Sequence, residues 1–276
     1  MDVIVQALVL GVVQGLSEFL PISSSGHLIV VPALLGWTDP FIDSLAFSVM
    51  LHLGTLLALL MYFRDDWLRL IPAALASIRD RSLGGDPHRR LAWLIVVGTV
   101  PAGIAALAFN DLVSSPSLRQ IDLVAVMLAV FAGILWLSDR VGSRTKHLDQ
   151  LSFPGALGVG ILQSLALVPG VSRSGITMTA GLFAGLDRAS AARFAFLLAT
   201  PVTALAVIYE AFKLVRGEAP GTISLAPLVV GVVAAFISGV LAISVLLRYV
   251  RTRSLDVFVI YRFAAAAFLV VFLLAR

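Results

Sequence analysis

The chain contains no cysteine, which excludes disulfides and thiol chemistry. Charge is scarce as well. Asp, Glu, Lys and Arg make up 13% of the residues, against about 25% in soluble domains. No GxxxxGK[ST] loop, no HExxH and no Cys/His metal spacing occurs, so ATP-driven work and zinc chemistry have no support. No low-complexity linker and no soluble domain of any size interrupts the chain. Its longest polar stretch, residues 64–90, itself contains an apolar run over 68–78. The opening MDVIVQALVLGVVQG lacks a basic n-region and a small-residue cleavage site, and it reads as mature sequence rather than a removed signal peptide.

What is present is hydrophobic sequence. Apolar residues reach 59% and the mean hydropathy is +1.01, the composition of a polytopic membrane protein. A spanning helix needs about 20 apolar residues. Six segments qualify: 44–63, 91–110, 122–138, 190–211, 224–248 and 256–275. Two interrupted pairs remain, 3–20 with 25–36 and 154–168 with 174–186. Their lengths and Pro/Gly breaks suit re-entrant hairpins, which are tolerated at membrane depth only when buried in protein or lining a wet cavity.

Those pairs are also related to each other. Residues 11–28 read GVVQGLSEFLPISSSGHL and residues 160–177 read GILQSLALVPGVSRSGIT. A gapless shift of 149 positions lays Gly11, Gln14, Leu16, Ser23, Ser25 and Gly26 on Gly160, Gln163, Leu165, Ser172, Ser174 and Gly175. Hydrophobic segments broken at matching places in two halves point to a binding site between inverted repeats. The expected architecture is an all-α polytopic membrane protein with two re-entrant helical hairpins and about six transmembrane helices. It forms one membrane domain, with repeat one at about 1–138 and repeat two at about 150–276.

Basic residues orient this layout. Loops 64–90, 139–153, 184–193 and 248–256 fall on one side and hold 14 of the 20 Lys and Arg residues. The other side holds Arg119, Lys213, Arg216 and Arg276. The 14-to-4 split puts the basic loops in the cytoplasm. The first hairpin then enters from outside and the second from the cytoplasm.

The polar residues at the breaks are the candidates for chemistry. Glu18 lies inside an apolar run, where ionisable residues default to functional hypotheses. Ser23, Ser24, Ser25 and Gly26 follow Pro21, and a helix starting there aims free N–H groups at the break. His27 shares a helix face with Ser24 and has the chemistry of a base. Arg173 occupies the repeat position of Ser24, and its planar fork suits phosphate; an ion pair with Glu18 is the alternative. Gln14 stands one turn before Glu18 and hydrogen-bonds but cannot act as a base, so this helix offers no two-carboxylate metal site. His52 reads as structural, and Asp39, Asp43 and Asp111 as solvated outer-loop residues.

QGLSEFLPISSSGHL resembles the [E/Q]GxxEFLPxSSxGH motif of bacterial undecaprenyl pyrophosphate phosphatases of the bacitracin-resistance type, and PGVSRSG resembles that family's second motif. The resemblance covers essentially the whole chain. It implies hydrolysis of undecaprenyl pyrophosphate to undecaprenyl phosphate and inorganic phosphate, which recycles the lipid carrier of peptidoglycan synthesis. It further implies a divalent cation, Mg²⁺ or Ca²⁺, a multi-pass location in the bacterial cytoplasmic (inner) membrane, and a site opening toward the periplasm. By position it assigns catalysis to Glu18, Ser24, His27 and Arg173, and substrate binding to Gln14, Ser23, Ser25, Gly26, Ser172, Ser174 and Thr177, with Glu18 as candidate metal ligand. Where the family often has Glu, this chain has Gln14. Expected partners are the polyprenyl pyrophosphate and membrane lipids, with no nucleic acid; a homodimer is an open alternative to a monomer. The nucleophile is either Ser24 or a water oriented by Glu18. The competing functional class is a secondary transporter or flippase for a polyprenyl phosphate lipid, because broken-helix repeats are transporter architecture.

Overall fold

Apolar runs closed by capping residues become helices throughout this chain. Its computed structural model describes residues 2–113, 115–216 and 224–275; Arg276, counted above on the outer side, lies outside them. The helices run in the order α1 Val3–Phe19, α2 Ser24–Leu35, α3 Leu45–Tyr62, α4 Arg64–Asp80, α5 Pro87–Ala108 and the single turn α6 Asn110–Val113. Then come α7 Ile121–Val141, α8 Phe153–Gln163, α9 Arg173–Phe183, α10 Arg188–Val215, α11 Leu225–Tyr249 and α12 Asp256–Leu274. No strand forms among the described residues. Local chemistry sets the ends. The Asp2 carboxylate accepts from Ile4 N at 3.1 Å, Ser44 Oγ accepts from Phe47 N at 3.0 Å, and Asp86 caps α5 just before Pro87. Each satisfies an N–H that the first helical turn leaves open.

Six helices (α3, α5, α7, α10, α11 and α12) are long and apolar enough to cross a membrane, and they coincide with the six expected segments. The chain is a multi-pass membrane protein. Helices α1, α2 and α9 and the α8 segment are apolar but shorter, below the length a span needs. They fall where the interrupted pairs were expected, with α8 running on as a 3-10 turn, Ser164–Leu167.

Helix α1 lies on α11, α8 on α5, α7 on α12 and α3 on α10. Two close approaches make the first two contacts. A Cβ on Gly11 would run into the Gly231 carbonyl oxygen, and a Cβ on Gly160 into that of Gly98. Gly11 and Gly160 are repeat mates, so the same small-residue seam is used twice. Within a membrane, small residues bring helix backbones together and make packing available where no hydrophobic drive exists.

The four basic loops meet at one end of the bundle. Arg193 reaches Asp66 at 2.5 Å. Arg90 donates to the Asp149 carbonyl at 2.6 Å and to that of Leu151. Arg188 grips buried Asp139 with Nε and Nη2 at 2.5 and 3.1 Å, and Asp139 also accepts from Leu255 N at 3.0 Å. Exposed ion pairs of this kind contribute little singly; the bidentate, buried Arg188–Asp139 pair is the structural one.

The seam generates a stability prediction. Gly11→Ala forces helices α1 and α11 apart and should cost about 1–3 kcal/mol, the usual penalty of overpacking. Gly103, in α5, has open space where its Cβ would stand, so Gly103→Ala should be neutral or slightly stabilising. Thermal unfolding of both variants in one detergent checks this, with Gly11→Ala melting well below the other.

Candidate active site

Two helix starts build the site. Ser23 caps α2 and Ser172 caps α9, and both hold φ in the left-handed region, +77° and +74°. Non-glycine residues so held cost about 1–3 kcal/mol each and persist only where their surroundings over-determine them. Here the surroundings do. Ser23 Oγ accepts from Gly26 N at 3.4 Å and from Gly170 N, in the other break, at 3.1 Å. Ser172 Oγ accepts from Gly175 N at 3.2 Å. Ser174 Oγ crosses back to donate to the Leu20 carbonyl at 3.1 Å. The two breaks are thus stitched to each other, and the first turns of α2 and α9 present their N–H groups at one place.

Arg262 of α12 holds both breaks from behind. Its side chain is fully buried and meets no carboxylate among the described residues. Nη1 donates to Pro21 O and Val171 O at 3.3 and 3.1 Å. Nη2 donates to Gly170 O at 2.9 Å, Val171 O at 3.1 Å and Met127 O at 3.3 Å. Nε donates to Leu128 O at 3.2 Å. The five N–H donors of a guanidinium are divided between the breaks, at Pro21, Gly170 and Val171, and two carbonyls of α7, Met127 and Leu128.

Glu18, at the end of α1, is the centre of the polar cluster and is only 7% exposed. Its Oε2 accepts from Ser24 Oγ at 2.6 Å and from Gln14 Nε2 at 3.1 Å. His52 Nε2 of α3 lies 3.3 Å from the same oxygen. Arg173 Nη1 stands 3.9 Å from Oε1 and donates to Thr203 Oγ1 of α10 at 2.5 Å. An isolated buried carboxylate is prohibitively costly. Here the arginine, a histidine, an amide and a hydroxyl surround it, which is the condition for keeping one.

The structure therefore brings Glu18, Ser24, Arg173 and Gln14 together, as the sequence led one to expect. His27 is placed differently. Its Nδ1 donates to the Ser23 carbonyl at 2.6 Å, and its Nε2 faces the Tyr261 hydroxyl at 2.6 Å. Since the carbonyl only accepts, Nε2 is left to accept from Tyr261. The expected Ser24–His27 bond is absent, because the ring turns away along the helix to two other partners. Ser23, Ser172 and Ser174 serve the crossing of the breaks. Ser25 meets Ser23 Oγ at 3.4 Å. Gly26 lies tight against Val124. Thr177 turns its hydroxyl back to Arg173 O at 2.7 Å.

His52 corrects the sequence reading, which took it as structural: it touches the central carboxylate. The available signal was an ionisable group at membrane depth; what hid it was a partner 34 residues away on another helix. Thr203, Tyr261 and Arg262 were missed for the same reason.

No group of three or more His, Cys, Asp or Glu side chains that could hold a metal ion occurs among the described residues. The site nevertheless offers two neighbouring oxygens, the Glu18 carboxylate and Gln14 Oε1, a buried acceptor with no partner. One carboxylate and few other protein ligands is what Mg²⁺ needs when phosphate oxygens complete its shell. The residues fit a cation shared with a phosphate, not one caged by protein.

Fold and site together define a polytopic helical membrane protein with a serine, a carboxylate and an arginine converging on a doubly broken, anion-attracting centre. The chain belongs to the family described as Bacitracin resistance protein BacA, whose model matches residues 7–268. It is similar to the undecaprenyl-diphosphatase of Gemmatimonas aurantiaca, 48% identical over 257 residues and 93% of each chain. It is 44% identical to that of Geobacter sulfurreducens over 273 residues, 99% of each, and 45% identical to that of Thermomicrobium roseum over 266 residues, 94% of each.

Arg262→Lys keeps the charge and loses the fork. Three ammonium donors cannot replace five, and each buried carbonyl left bare costs about 1–3 kcal/mol. The variant should melt lower and lose activity together, read by thermal unfolding and by activity on the same preparation. A normal melting temperature would dismiss the anchoring role.

Proposed function

We infer that this protein hydrolyses undecaprenyl pyrophosphate to undecaprenyl phosphate and inorganic phosphate, in the cytoplasmic (inner) membrane of a bacterium. Lipid carrier for cell-wall synthesis is thereby recycled, and bacitracin resistance fits the family. The observation that carries the mechanism is the 2.6 Å bond from Ser24 Oγ to Glu18 Oε2, made beside Arg173. A hydroxyl donating to a buried carboxylate is a nucleophile with its base in place.

Arg173 and the first-turn N–H groups of α2 and α9 hold the terminal phosphate. Ser24 Oγ attacks its phosphorus as Glu18 takes the hydroxyl proton, and the bond to the bridging oxygen breaks. Undecaprenyl phosphate leaves. Glu18 gives that proton up to the departing phosphate; water then cleaves the phosphoserine, passing a proton to Glu18, which returns it to the Ser24 oxygen as inorganic phosphate leaves. His52 and Arg173 hold Glu18 in place and aimed. Phosphoryl transfer is mostly positioning and charge stabilisation, which is what this cluster provides. A divalent cation bound by Glu18 and Gln14 Oε1 would neutralise charge on the diphosphate. The one-step route, in which Glu18 orients an attacking water, uses the same residues and differs only in the fate of Ser24.

The relatives named above are diphosphatases, and none of them supports the transporter or flippase alternative. Purified protein in detergent should release inorganic phosphate from a polyprenyl pyrophosphate; a pure transporter would release none. The repeat relation, the short broken pairs and the charge split support inverted hairpins with the site opening to the outer side.

Arg173→Lys should lose about 10²–10³ of the rate, the cost of about 2.7–4 kcal/mol for one transition-state contact, because the guanidinium grips phosphate bidentately. Near-normal phosphate release by the Lys variant would remove Arg173 from the clamp.

Ser24→Ala should lose far more than Ser25→Ala, and radiolabelled phosphate should be trapped on Ser24 in acid-quenched reactions. Retention of a tenth or more of the rate, a barrier change of about 1.4 kcal/mol or less, would hand the attack to water.

Orientation is testable because the chain has no native cysteine. An impermeant thiol reagent on intact cells should label Thr38→Cys and leave Ser82→Cys untouched. The reverse pattern inverts the assignment.

A further inference from the structure

Helix α4 is not used by the site, yet its surface is unlike that of any solvent-facing helix. It is divided lengthwise into three faces at helical spacing. Trp67, Leu70, Ala74 and Ser77 turn toward the bundle: Leu70 and Ser77 are buried, and Trp93 Nε1 of α5 donates to Ser77 Oγ at 2.8 Å. The next face round the helix holds Leu68, Ile71, Leu75 and Ile78, which are 72%, 55%, 63% and 58% exposed. The third face holds Asp65, Asp66, Arg69 and Asp80, and on it Asp66 pairs with Arg193.

We propose that α4 lies in the plane of the membrane interface, its Leu68–Ile71–Leu75–Ile78 face seated among the lipid acyl chains. A helix with water on one side needs no continuous apolar stripe there, and contiguous exposed apolar surface marks an interaction site. The bilayer, rather than another protein, is the occupant for two reasons. First, α4 links two spans, α3 and α5, whose own outward residues (Leu57, Leu60, Val96, Val100) are exposed apolar surface. The stripe continues the lipid-facing band of the bundle around its basic end. Second, exposed arginines border the stripe: Arg64 and Arg79 stand on or beside it at the two ends of the helix, and Arg69 stands on the polar face, where long basic side chains reach from apolar surface to anionic headgroups. A protein-facing side, a lipid-facing side and a water-facing side in that order around the axis is what a helix lying flat against a bundle requires.

The proposal does not depend on the diphosphatase reading, and the missing cysteines make it directly testable. Nitroxide labels are placed singly through Leu68→Cys, Ile71→Cys, Leu75→Cys, Asp65→Cys, Arg69→Cys and Ala74→Cys. The protein is reconstituted in vesicles of phosphatidylglycerol and phosphatidylcholine. Collision with oxygen, which concentrates in acyl chains, is compared with collision with a water-soluble nickel complex. Labels at 68, 71 and 75 should meet oxygen and not nickel, labels at 65 and 69 should show the inverse ratio, and the label at 74 should be shielded from both. Nickel access at 68, 71 and 75 would place α4 in water. Shielding from both reagents there would place a protein or a second copy on the stripe. Either result overturns the proposal.

Discussion

Everything at the centre of this protein depends on one guanidinium. Two stretches of non-helical backbone meet inside the helix bundle, and buried backbone carbonyls there have no water to fall back on. Arg262 supplies the missing donors to both at once, to Pro21 in the first break and to Gly170 and Val171 in the second. Without such a donor set, neither chain reversal is tolerable and the two strained serine caps have nothing to hold them. The charge is kept at full burial without a carboxylate because the carbonyl dipoles of five residues converge on it.

The reactive cluster then follows from what the crossing brings within reach. Ser24 and Arg173 are the first helical residues after the two strained caps, so fixing the caps fixes both. Glu18 is the last charged residue before the first break. Arg173 and His52 bear on this carboxylate at 3.9 and 3.3 Å, which keeps a buried negative charge admissible without closing the site to an anion. In the proposed mechanism an entering diphosphate competes for Arg173 and leaves Glu18 free to act on the Ser24 hydroxyl. The same electrostatic balance serves rest state and reaction. His27 sits outside this exchange, tied to Ser23 O and the Tyr261 hydroxyl, where it steadies the cap that positions Ser24.

Much of this was legible beforehand, and for a physical reason. Membrane spans are declared by local sequence, because every backbone group must be satisfied within its own helix and the side chains must match lipid. Hence the six spans fall where hydropathy places them. The breaks are local too: Pro21 and Pro169 followed by small polar residues end one helix and cap the next. The grouping of loops 64–90, 139–153, 184–193 and 248–256 at one end also follows from charge counted along the chain. The 149-residue shift went further, since it set Ser24 and Arg173 at matching breaks, and both stand beside Glu18 in the structure.

Partners across space were not legible. Nothing in the run around His52 says that it meets Glu18, and nothing in α12 says that Arg262 reaches two loops more than 90 residues distant. Helical spacing put His27 on the Ser24 face, yet it could not tell that Ser23 O and Tyr261 would claim the ring. Sequence by itself determined the spans, the breaks and the residue types that carry the chemistry, because those are decided by hydrophobic length and by the conformational limits of Pro and Gly. Tertiary structure decided which polar groups pair, because a hydrogen bond at membrane depth depends on helix packing, set here by the Gly11 and Gly160 seams, and not on distance along the chain.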